Sequence, residues 1–162
     1  MNPGDYVVGV DQNQSYNGQP SAYVKSIVGS PSGFGGMMQS SSAAEYAGKR
    51  IRYTAWVRTE DANEGGGHLW FRIDGQQSGQ TLGFDNMDNR PLKGTTSWQQ
   101  QSIVLDVPPE ARALAFGFFV GGAGQMWTNS ARIEEVGADV PVTNMLTSKP
   151  AQTAPKNLNF SE

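Results

Sequence analysis

The chain has 162 residues, enough for one ordinary domain with a real core and short for two. Its formal net charge of -3 and pI near 5.1 lack the basic excess that a nucleic-acid or anionic-membrane partner asks for, and the absence of cysteine removes disulfides, thiolate catalysis and thiolate metal sites. Twenty glycines and nine prolines among short apolar runs predict many turns and few helices, an all-β chain. The opening "MNPGDYVVGV" has neither a basic nor an apolar export region, and no apolar run approaches the roughly 20 residues of a membrane span, so the expected location is cytoplasmic.

In chain order, Tyr6 to Asp11 alternates loosely and leads to Asn17-Gly18, a tight-turn dipeptide. Ser21 to Val28 is the next extended run. Phe34 to Ser40 follows, and its glycines and paired methionines predict a strand that bends or lets another backbone close. "SSSAAEYAGKR" predicts a short helical turn stopped by Gly48. Lys49 to Thr59 is the longest clean strand: Ile51, Tyr53, Ala55 and Val57 share one parity, and Arg50, Arg52, Thr54, Trp56 and Arg58 share the other. "EDANEGGG" is expected to be the loop that ends it.

The stretch "GHLWFRIDG" (67–75) divides in the same way. Leu69, Phe71 and Ile73 form an oily parity; His68, Trp70, Arg72 and Asp74 form a face able to hydrogen-bond or stack. Thr81 to Asn86, Trp98 to Val107, Ala113 to Val120 and Gln125 to Val136 complete about eight or nine strands, which favours an antiparallel sandwich or barrel. Leu114, Phe116, Phe118 and Val120 are assigned to the core, and the small opposite parity of that strand suggests cover on both faces. From Gly137 onward the chain reads as a linker, giving a body at 1–137 and an arm at 138–162.

The Asn-Gly-x-x-Ser-Ala turn and strand, the Phe-Asp-Asn-Met segment at 84–87, Lys-Gly-Thr-Thr-x-Trp at 93–98 and the closing Gly-x-x-Trp at 124–127 resemble a bacterial galactose-binding-like, carbohydrate-binding-module-type jelly-roll domain. The resemblance covers about Tyr6 to Gly137 and implies an antiparallel jelly-roll β-sandwich that binds or packs rather than catalyses. Similar domains often carry an Asp pair after the closing Trp, associated with structural calcium. Thr128, Asn129 and Ser130 stand there instead, so calcium is not carried over and no metal or cofactor is expected. Such jelly rolls also commonly open with a strand like "NLDFE"; this chain has its nearest match in Asn157-Leu158-Asn159-Phe160, so 157–161 is read either as a strand returning to the body, in the same chain or a neighbouring copy, or as a frayed tail.

Two candidate sites emerge. If Lys49 to Thr59 and 67–75 are neighbours in one sheet, Trp56, Arg58, His68, Trp70, Arg72 and Asp74 share a face on which indoles stack on a sugar ring while Arg and Asp reach its hydroxyls. The alternative is a wet sheet face held by cross-strand pairs and Arg over Trp. In "FDNMDNRPLKG", Asp85, Asn86 and Arg90 form a candidate rim, against plain turn chemistry. No nucleophile elbow, phosphate loop or metal motif occurs; a remote polysaccharide-lyase reading needs His68, Tyr53 and Arg72 together, yet Tyr53 falls on the core parity. The sequence therefore predicts a non-catalytic module for a glycan or small polar ligand, or else a protein-interaction or regulatory domain, with a homodimer through the arm as one assembly.

Overall fold

The computed structural model describes residues 5–15, 20–28, 31 and 33–144; the Asn17-Gly18 turn and the 157–161 segment lie outside them. Among the described residues there are ten strands: β1 Tyr6–Ser15, β2 Pro20–Ser26, β3 Phe34–Ser42, β4 Arg50–Glu60, β5 Ala62–Asp74, β6 Thr81–Asp85, β7 Leu92–Gly94, β8 Gln99–Asp106, β9 Ala113–Gly121 and β10 Gln125–Val136. They form two antiparallel sheets, β1-β2-β10-β4-β8 and β3-β9-β5-β6, with β7 also paired to β5. The short helical turn is a 3-10 turn, Ala44–Tyr46, whose Ala44 amide donates to Ser42 Oγ at 3.1 Å. None of the helices in the described part is long and apolar enough to cross a membrane.

The alternation read from the sequence places the core. Ile51, Tyr53, Ala55 and Val57 of β4 are buried from one layer, and Leu69, Phe71, Ile73, Leu114, Phe118 and Val120 from the other. At its centre the rings of Tyr53, Phe71 and Phe116 meet at centroid distances of 5.7, 5.4 and 6.3 Å, tilted or edge to face. The Tyr53 hydroxyl donates across the layers to the Gly117 carbonyl at 3.1 Å, so a buried polar group is satisfied where the sheets meet.

Two expectations change here. The "EDANEGGG" stretch is strand rather than loop: β5 begins at Ala62, opposite Gly94, and shifts register before Gly67 pairs with Leu92. Gly66, at φ +83, supplies the bulge, since a Cβ there would press on the Leu92 carbonyl at 2.7 Å. In addition, β4 and β5 are consecutive but belong to opposite sheets. Their link is the single residue Asp61 at φ 56, and a one-residue link cannot close a hairpin, for which two is the shortest common loop. The chain steps between layers, and the Gly94-Thr95-Thr96 turn ties down the corner: Thr59 Oγ1 donates to the Gly94 carbonyl (3.1 Å), the Thr59 amide to Thr96 Oγ1 (3.0 Å) and the Asp61 amide to Thr95 Oγ1 (3.1 Å).

Close backbone approach is realised between β3 and β9. A Cβ on Gly36 would stand 2.7 Å from the Phe119 Cβ, and one on Gly117 would run into the Met37 carbonyl. Gly117→Ala is therefore expected to push these strands apart and cost about 1–3 kcal/mol in a urea melt, without loss of β-sheet signal in circular dichroism. Tyr53 gives a pH test. Burial pushes its phenol well above the usual value, so the folded protein keeps that proton where the unfolded chain releases it. Stability should fall above about pH 10, and Tyr53→Phe, which costs about 1 kcal/mol at neutral pH, should make that alkaline fall shallower.

Candidate functional site

Because β4 and β5 face each other through the core, their polar parities point away from each other. Trp56 and Arg58 lie on the outer face of the β1-β2-β10-β4-β8 sheet; His68, Trp70, Arg72 and Asp74 lie on the outer face of the other. The expected shared face of two tryptophans does not form.

The first of these faces is built from mutual pairing. The Arg58 guanidinium lies 4.7 Å over the Trp127 ring, Trp127 is only 3 % exposed, and its indole Nε1 donates to Asp11 Oδ2 at 3.0 Å. Asn129, opposite Trp56, donates to the Pro20 carbonyl and Ser21 Oγ at 3.2 and 3.3 Å. Arg52 pairs with Glu134 at 2.9 Å, and that hydrogen bond holds the Glu134 carboxyl below the usual carboxylate range. Asp11 and Trp127 are the partners that sequence reading missed on this face; they are 116 residues apart, and no local pattern joins them.

The opposite face is more open. Register across β3, β9 and β5 sets Met38, Gly117 and Trp70 in one row and Ser40, Ala115 and Arg72 in the next, followed by Ser42, Ala113 and Asp74. Over these three rows the middle strand contributes only small side chains, with the half-buried Trp70 to one side and the exposed Met38 to the other; Phe119 continues the same face beyond them. Arg72 Nε donates to Asp74 Oδ1 at 2.7 Å, and its guanidinium carbon is 5.8 Å from the Trp70 ring centroid. Donors, an acceptor and an aromatic ring thus lie together beside this row of small residues. The small parity of β9, Ala113, Ala115 and Gly117, was the sequence signal for this row. The sequence predicts cover over this parity, and Ala115, 1 % exposed, and Gly117 are buried as that reading expects.

His68 sits at one end of this row but is only 4 % exposed. Its ring stacks on Phe119 with centroids 4.3 Å apart, and its two nitrogens lie 2.9 Å from the carbonyl oxygens of Asn86 and Gly65. It is a brace between loop and strand. The candidate rim is likewise engaged in internal bonds, with Asn86 and Arg90 half-buried. Asp85 is fully buried and accepts from the Met87 amide (2.9 Å) and from Arg90 (2.6 Å), while Asn86 Oδ1 accepts from the Asp88 amide (3.1 Å). These bonds shape the turn that drives Met87, at φ 58, into the core. Among the described residues, no three His, Asp or Glu side chains gather into a group able to hold a metal ion.

Comparison with solved structures places this architecture. A family 16 carbohydrate-binding module superposes with a TM-score of 0.57 at 13 % identity, covering 80 % of this chain and 86 % of that one. The C-terminal family 22 carbohydrate-binding module of Clostridium thermocellum Xyn10B gives 0.53 at 12 %, covering 87 % and 86 %. The fold is the jelly-roll β-sandwich of carbohydrate-binding modules. No family model matches the sequence. Among curated proteins, the chain is similar to YbfP of Bacillus subtilis (strain 168), an uncharacterized HTH-type transcriptional regulator, at 37 % identity over 161 residues, 99 % of this chain and 54 % of that protein. The jelly-roll chain thus spans about half the length of that relative.

The buried carboxylate supplies a test of the rim. Arg90→Ala should strand the Asp85 charge and lower stability by about 3 kcal/mol in chemical denaturation, since losing one partner of a buried pair is costly. Arg90→Lys should recover only part of it, because an ammonium cannot reproduce the two-pronged contact.

Proposed function

We propose that this chain is a non-catalytic module that takes a carbohydrate, or a polar ligand of similar size, on the outer face of the β3-β9-β5-β6 sheet beside Trp70. The observation that carries the reading is the row of small residues, Ala113, Ala115 and Gly117, flanked by Trp70 and the Arg72–Asp74 pair. An indole beside such a row can lie against the apolar face of a sugar ring, and the paired guanidinium and carboxylate offer donors and acceptors to its hydroxyls. The jelly-roll fold, shared with binding modules of families 16 and 22, supports a binding role by analogy.

Catalysis is disfavoured on geometry. A lyase would need His68 and Tyr53 beside Arg72, but His68 is engaged under Phe119 and Tyr53 is inside the core. The likeness to a transcriptional regulator favours a regulatory setting, in which the module senses a ligand or a partner protein. The described residues hold no α-helix, so a DNA-reading helix pair is not part of what they contribute.

Titration with a panel of soluble oligosaccharides should shift tryptophan fluorescence. Trp70→Ala should abolish the shift with the melting temperature within about 2 °C of wild type, whereas Trp56→Ala should leave it intact. A shift that survives in Trp70→Ala and disappears in Trp56→Ala would move the site to the other face. No shift with any glycan, together with a stable complex with another protein, would favour the interaction reading.

A further inference from the structure

The two sides of the sandwich are finished differently. On the β8/β6 side the chain after β10 closes the seam: the Thr143 amide donates to the Val104 carbonyl at 2.8 Å, Thr143 Oγ1 accepts from the Val104 amide at 3.1 Å, and Asn144 Oδ1 accepts from the Phe84 amide at 3.2 Å. The other side is formed by β1 and β3, each paired along one edge only among the described residues and packed against one another across the layers.

At that side, side chains aimed into the interlayer space are left uncovered. Val8 stands opposite the core residue Val24, Val10 opposite Ala22, and Met37 opposite the buried Phe118, so all three point between the sheets. They are nonetheless 50 %, 61 % and 37 % exposed. The gap is shut at one end, where the Tyr6 ring lies against Gly35 and its hydroxyl donates to the Gly122 carbonyl at 2.8 Å; beyond Tyr6 it is open among the described residues. The free edge of β3 is also unprotected. Phe34–Ser42 carries no charge and no proline, the devices by which edge strands usually avoid pairing with foreign strands.

We propose that residues 157–161 of the same chain add to this edge of β3 as a further strand, with Leu158 and Phe160 inserted between the layers against Val8, Val10 and Met37. The alternation supports it: Leu158 and Phe160 share one side, and Asn157, Asn159 and Ser161 the other, so one strand offers an apolar face to the gap and a polar face to water. Reach supports it as well. The thirteen residues from Asn144 to Asn157 span up to about 43 Å when extended. Four strand spacings, from β6 to a position beyond β3, amount to about 19 Å. The added strand would cover the exposed valines and methionine and cap the edge.

The test compares the full chain with a version cut after Lys149 and with the double variant Leu158→Asp/Phe160→Asp. Both altered proteins should melt about 5 °C lower than the full chain and bind more of an apolar dye while remaining monomeric. If the truncated form is too unstable to purify, the milder Phe160→Ala should still lower the melt, by about 2 °C. Hydrogen exchange provides a readout specific to the edge: amides of β3 should exchange faster in the double variant, while those of β8 stay unchanged. Identical melting and exchange in all forms would overturn the proposal. So would a full-length dimer that truncation converts to monomer, because the occupant would then come from a second copy. The absence of cysteine allows a positional check, since Met37→Cys/Phe160→Cys should form an intramolecular disulfide on mild oxidation.

Discussion

The packing of Tyr53 against Phe71 and Phe116, sealed by the hydrogen bond from its hydroxyl to the Gly117 carbonyl, is the contact on which the rest of this structure turns. It joins β4 in one sheet to β5 and β9 in the other. Once the apolar parities of β4 and β5 meet there, their polar parities must leave in opposite directions. One outer face is filled by Trp127, Asp11 and the Arg58 stack; the other sets a row of small residues beside its tryptophan. The division of labour between the faces is thus a consequence of the core.

Gly117 links that core to the surface. Its carbonyl receives the Tyr53 hydroxyl, the absence of a Cβ lets β3 approach, and the same absence leaves the position next to Trp70 in its row without a side chain. A larger residue would disturb packing, strand spacing and the proposed binding surface together.

Side-chain parity made much of this legible in the sequence. The alternation in 50–60 and 67–75 separated the buried Ile51, Tyr53, Leu69 and Phe71 from the outward Arg52, Trp56, Trp70 and Arg72, and the glycines of β3 correctly signalled close backbone approach. Parity is silent on which strands share a sheet. The link between β4 and β5 carries a non-glycine residue in a left-handed conformation, and the glycine run that reads as its loop is bulged strand, so nothing local marks the step between layers that separates the two runs. The braces of His68 and Asp85 are illegible for a related reason: His68 meets two main-chain carbonyls and Asp85 a main-chain amide and the Arg90 guanidinium, and residue type alone does not distinguish a side chain that meets a ligand from one that meets its own protein.

The proposed ligand face is that of Trp70 on the β3-β9-β5-β6 sheet, and not the face bearing Trp56. A 15N–1H NMR titration of the labelled chain with an oligosaccharide addresses it most directly. The Trp70 indole and the Ala115 and Gly117 amides should move together along one saturable curve while the Trp56 and Trp127 indoles stay still. Movement confined to Trp56, Trp127 and their neighbours, with Trp70 unchanged at saturation, would contradict it.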